Sequence, residues 1–174
     1  MKTGIVVMFF MAATATCCFA QQLSVQISYY YGEVKTTSAD GKIPYGPVKH
    51  SLVRRIIDRQ NKAIIEIVNQ DGKDFNTKLS QVGNSNVFSA EDLSSKSFTG
   101  KITFAGDDWA WNAWTYDISM SDGTGRIIGD GHLTADAIQT KKYFVAPDEN
   151  RKVLITEDLR KITSEEYAKL AGTH

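Results

Sequence analysis

Four Asp-Gly dipeptides divide this chain into segments that are rich in β-branched and aromatic residues. They are Asp40-Gly41, Asp71-Gly72, Asp122-Gly123 and Asp130-Gly131. Asp and Gly tolerate the positive φ angles that tight hairpin turns require. Further turn clusters begin at Asp58, Gly83, Gly106 and Pro147. Turn signals therefore recur about every ten to fifteen residues, a spacing that predicts an antiparallel meander.

Ten segments between these turns have the composition of strands. They are residues 23–34, 52–57, 63–69, 75–82, 86–89, 97–104, 109–120, 126–134, 140–145 and 152–156. Several of them alternate apolar and polar residues, as where Phe98, Ile102 and Phe104 are interleaved with polar residues. One face of each such strand is therefore expected to be buried and the other exposed to solvent. Residues 51–58 would also fit one side of a helix, but the turn and strand that follow favour a hairpin.

One helix is expected, at the C-terminal end. Thr163 followed three residues later by Glu166 is a capping-box pattern, and Gly172 can end the helix. An open sheet of this length would expose unpaired backbone groups at its edges, and closure removes them. We therefore expect a mainly β fold, a single antiparallel up-and-down β-barrel of about eight to ten strands with a short C-terminal helix.

Several features lie together between residues 97 and 161 and just beyond. They are the aromatic segment 109–116, the Asp122-Gly123 turn, Gly129-Asp130-Gly131 and the segment 162–167. In this pattern of strands and turns the chain resembles the small exported bacterial proteins with lipocalin-like, or calycin-type, barrels. The Gly-x-Trp motif of true lipocalins has no counterpart in the first strand, which reads Tyr31-Gly32-Glu33-Val34. The resemblance implies a barrel that holds a small apolar molecule and has no catalytic residues.

The first twenty residues have the pattern of a cleavable signal peptide. Lys2 precedes an apolar run, residues 5–13, that is too short to cross a bilayer core of about 30 Å as a helix. Cys18-Phe19-Ala20 has the small-x-small pattern of a cleavage site. We expect residues 1–20 to be removed and residues 21–174 to form one domain, exported to the periplasm or the medium.

Two alternatives remain for this segment. A lipoprotein would attach lipid at Cys17 or Cys18, although the preceding Thr14-Ala15-Thr16 lacks the usual large aliphatic residue. A retained anchor would need a longer apolar run. The rest of the sequence contains no segment that could span a membrane.

Cleavage leaves a chain without cysteine and with balanced charge. Both cysteines and Lys2 are lost, so 19 basic side chains face 20 acidic ones. A chain with no basic excess is not expected to bind nucleic acid or a membrane surface. The densest basic pairs, Arg54-Arg55 and Lys141-Lys142, are interpreted as solvated strand faces.

The aromatic residues of one segment are the predicted ligand contacts. They are Trp109, Trp111, Trp114 and Tyr116. On an unbroken strand, the first two share one face and the last two the other. Such rings suit a ligand wall and a solid core equally well. The adjacent tyrosines at positions 29–31 must likewise place rings on both faces of the first strand.

No metal, cofactor or catalytic residue is predicted. The three histidines, His50, His132 and His174, lack a partner at helical ligand spacing. The Asp- and Gly-rich segment 122–130 lacks the alternating ligands of a calcium loop and is interpreted as a pair of hairpin turns. Acidic residues flank the aromatic segment at Asp107, Asp108, Asp117 and Asp130.

These observations favour a non-enzymatic carrier or sensor that holds a small apolar or amphipathic ligand in an aromatic-lined barrel. An interaction module that binds a glycan or a protein through exposed Tyr and Trp is the alternative. A hydrolase that uses two of the acidic residues ranks third.

Overall fold

The computed structural model describes residues 25–105, 112–149 and 151–172. The elements are β1 (Val25–Ser38), β2 (Lys49–Asp58), β3 (Ala63–Gln70), β4 (Lys73–Gln81), β5 (Val87–Asp92), β6 (Phe98–Phe104), β7 (Ala113–Met120), β8 (Arg126–Leu133), β9 (Ala137–Val145), β10 (Lys152–Ile162) and α1 (Ser164–Ala171). The ten strands form a closed barrel in which sequential strands are antiparallel neighbours. The prediction of a mainly β, up-and-down barrel with a short C-terminal helix is confirmed.

The first and last strands close the barrel. β1 pairs with β10 from Tyr29 opposite Ile162 to Ser38 opposite Val153, and with β2 along its other edge. β1 and β10 extend to Ser38 and Ile162, beyond the ends that the sequence predicts. Their C-terminal residues continue the strand pairing without an alternating apolar pattern. Residues 51–58, which would also fit a helix, lie in β2 as predicted.

Most of the turn signals do mark turns. Asp71 and Gly72, with φ angles of 52° and 74°, join β3 to β4, and Asp122-Gly123 lies between β7 and β8. The prediction of a turn at Asp130-Gly131 is wrong, since both residues lie inside β8. Gly131 is there because the barrel interior leaves no room for a side chain beside the indole of Trp114.

Strand alternation divides the barrel into an interior and an outer face. The interior set contains every second residue of each strand, for example Trp114, Tyr116 and Ile118 in β7. One end of the interior is filled by apolar side chains that are almost fully buried. They include Ile64, Leu79, Phe88 and Phe104. The rings of Phe88 and Phe104 meet edge to face with centroids 5.1 Å apart, a geometry favourable for aromatic pairs.

The helix α1 begins at the predicted capping box. Thr163 accepts from the backbone N–H of Glu166, whose carboxylate accepts in return from the backbone N–H of Thr163. Gly172 follows the last turn as the C-cap. The ring of Tyr167 lies 4.7 Å from that of Tyr29 on the outer face of β1, so the helix packs outside the barrel and leaves the interior clear.

The predicted signal peptide, residues 1–20, lies outside the described residues. Within the residues that are described, no helix is long and apolar enough to cross a membrane.

Candidate functional site

The barrel interior contains a cavity of about 190 Å³. It lies between the filled end and the end that carries the β3–β4 and β7–β8 turns. Phe75 has an inward position opposite Val68 at that second end, yet it is 44% exposed. The apolar wall of the cavity includes Val53, Val68, Phe98, Ile118, Ile127 and Leu159. The interior is therefore closed by apolar side chains at the filled end and is more accessible at the end that carries the β3–β4 and β7–β8 turns.

Two of the four predicted ligand contacts line this cavity. Trp114 is 5% exposed, and its ring lies 6.3 Å from that of Tyr116, nearly perpendicular to it. Both side chains point inward from β7, as the alternation predicts. Trp109 and Trp111, the other two, lie outside the described residues.

A polar wall, formed by β9 and β10, also lines the cavity, and the residue pattern did not predict it. Lys142 Nζ lies 2.6 Å from Glu157 Oε1, and the Thr140 hydroxyl donates to Glu157 Oε2 at 2.7 Å. These three residues project inward from the neighbouring strands β9 and β10, where Thr140 is directly opposite Glu157. Both oxygens of the Glu157 carboxylate are thus engaged within the wall of the cavity.

The ionisation of Glu157 reflects these contacts. Burial by itself would raise the pKa of this carboxyl, but the Lys142 ammonium and the Thr140 hydroxyl lower it below its ordinary value. A carboxylate with a lowered pKa is ionised at neutral pH. The wall therefore presents a neutralised ion pair to the cavity.

A second ion pair lies between β2 and β3, and β1 separates these strands from β10 in the barrel. Arg55 Nε is 3.0 Å from Glu66 Oε1, and Arg55 is directly opposite Glu66 in the strand register. The guanidinium carbon also lies 5.1 Å from the centroid of the Trp114 ring, in cation–π range. Arg55 is 2% exposed, whereas a quarter of the Glu66 side chain is exposed and lines the cavity.

Tyr116 lies between the two charged pairs. The Lys142 ammonium lies 5.5 Å from the centroid of its ring. Burial raises the pKa of the phenol well above its ordinary value, and the carboxylates of Glu157 and Glu66 raise it further. The phenol is therefore a neutral hydroxyl that can donate or accept a hydrogen bond at the cavity wall.

The interpretation of the two basic pairs as solvated strand faces is wrong for one member of each pair. Adjacent strand residues point to opposite faces, so Arg55 and Lys142 point inward while Arg54 and Lys141 point outward. The available signal was the position of Arg55 between the apolar residues Val53 and Ile57. Its inward position is tolerated because Glu66 and Trp114 accompany it.

Of the acidic residues that flank the aromatic segment, the two that are described do not lie inside the barrel. Asp117 and Asp130 are exposed on the outer face, and Asp107 and Asp108 lie outside the described residues. The described histidines also have other partners. The ring of His50 stacks on that of Tyr31 with a centroid distance of 5.6 Å, and His132 Nε2 lies 3.1 Å from Gln139 Oε1. In the part of the chain that is described, no three His, Cys, Asp or Glu side chains group as metal ligands.

No protein-family model matches the chain, and no characterised protein matches its sequence.

Proposed function

We propose that this chain is an exported, lipocalin-like binding protein that holds a small amphipathic molecule inside its barrel. The observation that carries the proposal is the cavity itself, which combines an apolar lining with charged pairs on β2–β3 and β9–β10. A purely structural barrel of this size would gain stability by filling the space with side chains, because interiors normally pack without voids.

The volume of the cavity limits the ligand. An engineered cavity of roughly 150 Å³ holds one benzene molecule, whereas pockets for drug-sized ligands begin at about 300 Å³. At about 190 Å³, this cavity suits a small molecule with a short apolar part. Burial of that part against Ile118, Ile127 and Phe98 supplies the affinity, at roughly 25 cal/mol for each Å² removed from water.

The composition of the walls favours an amphipathic ligand over a hydrocarbon. A hydrocarbon would leave the charged groups of Glu66, Lys142 and Glu157 facing an apolar surface without water, which is unfavourable. A ligand with one polar end can replace that water. The neutral phenol of Tyr116 supplies a further hydrogen-bonding group in the lining of the cavity.

Native mass spectrometry of protein purified from its own host tests the proposal. A co-purified small molecule that survives mild ionisation is the expected result. The variant Ile127→Phe, which adds volume at the cavity wall, should lose this molecule, while Ile128→Phe on the outer face of the same strand should retain it. Consistent absence of any small molecule from the wild-type protein would contradict the proposal.

An interaction module for a protein or a glycan is the second candidate, favoured by the β1–β2 connection. Ile43, Tyr45 and Val48 are 60%, 55% and 45% exposed there. Replacing Ile43 and Tyr45 by Ser separates the candidates, because this change should abolish partner binding through the connection while leaving a ligand inside the barrel undisturbed.

Export to the periplasm or the medium is part of the same proposal. Its support is the charge and hydropathy pattern of residues 1–20 and the absence of cysteine from the remainder of the sequence.

A further inference from the structure

The polar groups that line the cavity differ in how fully they are already engaged. Glu157 uses one oxygen for Lys142 and the other for Thr140. Lys142 is the one cationic side chain lining the cavity among the described residues, and it lies 2.6 Å from its partner. Each Glu157 oxygen thus already accepts one hydrogen bond, and the charge of Lys142 is already balanced by this carboxylate.

Glu66 is engaged much less fully. Across the described residues, its one ion-pair or hydrogen-bond partner is Arg55, whose Nε approaches Oε1 at 3.0 Å. No hydrogen bond to either carboxylate oxygen is found among the described residues, and Glu66 lines the cavity with a quarter of its side chain exposed. The cavity therefore presents a carboxylate oxygen that accepts hydrogen bonds.

Arg55 is not presented in the same way. Its Nε and Nη1 atoms are buried and make no hydrogen bond within the described residues, so its contact with Glu66 is an ion pair only, and the whole residue is only 2% exposed. Its guanidinium lies against the ring of Trp114, and Arg55 is not among the residues that line the cavity. A ligand in the cavity thus meets the carboxylate before it meets the cation.

We propose that the cavity selects a ligand whose polar end is a hydrogen-bond donor, above all a primary ammonium group, and that Glu66 receives it. This inference rests on the proposed binding function and specifies its ligand class. The rings of Trp114 and Tyr116 already have Arg55 and Lys142 within cation–π range, so the carboxylate of Glu66 is the group that receives the ammonium. A carboxylate ligand would instead face Glu66 and Glu157, and Lys142, the one cation that lines the cavity among the described residues, is already paired with Glu157.

Three probes that share one hexyl chain test the inference: hexan-1-amine, hexan-1-ol and hexanoate. Their affinities are measured by isothermal titration calorimetry at pH 7, where the amine is protonated and the acid ionised. The amine should bind about tenfold more tightly than the alcohol, because a hydrogen bond to a charged group is stronger than one between neutral groups. Hexanoate should bind more weakly than either.

Variants test whether Glu66 is the residue that selects the amine over the alcohol. Glu66→Gln should bring the affinity of the amine down to that of the alcohol, while Glu91→Gln on the exposed outer face of β5 should leave the ranking unchanged. Because Glu66→Gln deprives Arg55 of its counterion, the double variant Arg55→Met/Glu66→Gln provides the same comparison without an uncompensated buried charge.

The outcomes distinguish this inference from the proposal on which it rests. If the wild-type protein binds none of the three probes, the binding function itself is contradicted. If the probes bind with equal affinity, or hexanoate binds most tightly, the cavity binds ligands but Glu66 does not select them, and the inference is overturned.

Discussion

The indole of Trp114 occupies the space that a side chain on Gly131 would need. The two residues are directly opposite each other in β7 and β8, and a Cβ atom on Gly131 would lie 2.5 Å from Cε2 of the indole. Large aromatic rings that cover a cross-strand glycine pack tightly at little conformational cost, since the glycine offers a flat backbone surface. This contact holds the ring at one side of the cavity.

Gly131→Ala should therefore destabilise the barrel by about 1–3 kcal/mol, the cost typical of overpacking a well-packed core. Urea unfolding measures the change. In the background of Trp114→Leu, the same glycine substitution should cost clearly less, because the clashing ring is gone. Equal costs in both backgrounds would show that the glycine is needed for its backbone and not for the ring.

Lys142 and Lys141 form a matched pair for testing the interior ion pair. Lys142→Met leaves Glu157 without its counterion and should cost about 3 kcal/mol, the lower end of the range for breaking buried pairs, because both groups face the cavity. Lys141→Met on the exposed outer face should change the free energy of unfolding by less than about 0.5 kcal/mol. Similar effects of the two variants would contradict the inward assignment of Lys142.

The fold could be predicted from the sequence more completely than the site. Alternation and turn residues report the local backbone, and in a meander each strand pairs with its sequence neighbour, so local signals determine most of the topology. The polar wall could not be predicted in this way. The alternation rule assigns a charged residue such as Lys142 to the wet face, and only the pairing of β9 with β10 brings Glu157 beside it.

Asp130-Gly131 is a second case in which a contact between strands could not be predicted from the local sequence. Locally, the dipeptide has the composition of a hairpin turn, as Asp71-Gly72 does. The requirement that places Gly131 inside β8 comes from Trp114 on the neighbouring strand. A single sequence does not show whether a glycine serves its own backbone or a neighbour's side chain.

Asp92 should make the stability of the barrel dependent on acid pH. Burial would raise the pKa of this carboxyl, but the hydroxyls of Ser95 and Ser97 and the backbone N–H groups of Ser94 and Ser97 lower it well below its ordinary value. Because the pKa is lower in the folded state, the contribution is fully present above the unfolded pKa of about 3.9 and is lost as the pH falls toward the folded value.

Comparison with Asp92→Asn isolates this contribution. The variant should be less stable than the wild-type protein at pH 7, and the difference should shrink as the pH falls below about 4. Chemical unfolding at a series of pH values provides the measurement. Asp74→Asn, at an exposed position, serves as the control. A difference that does not vary with pH would show that the ionised form of Asp92 is not what stabilises the β5–β6 turn.

Export predicts a specific mature chain. Protein recovered from the periplasm or the medium should begin at Gln21, with or without cyclisation to pyroglutamate, and should contain no thiol. Intact-mass spectrometry measures both properties. A species that retains Cys17 or Cys18 with lipid attached would instead place the protein on a membrane surface.

The central claim is that small molecules bind inside the barrel, and the methyl groups of isoleucine report on it directly. Ile118 and Ile127 line the cavity, whereas Ile65 and Ile128 lie on the outer faces of their strands. Isoleucine-methyl NMR spectra recorded during titration with hexan-1-amine should show saturable shifts of the two cavity residues and none of the two outer ones. Shifts confined to the outer residues, or no saturable shift at any ligand concentration, would contradict a binding site in the barrel interior.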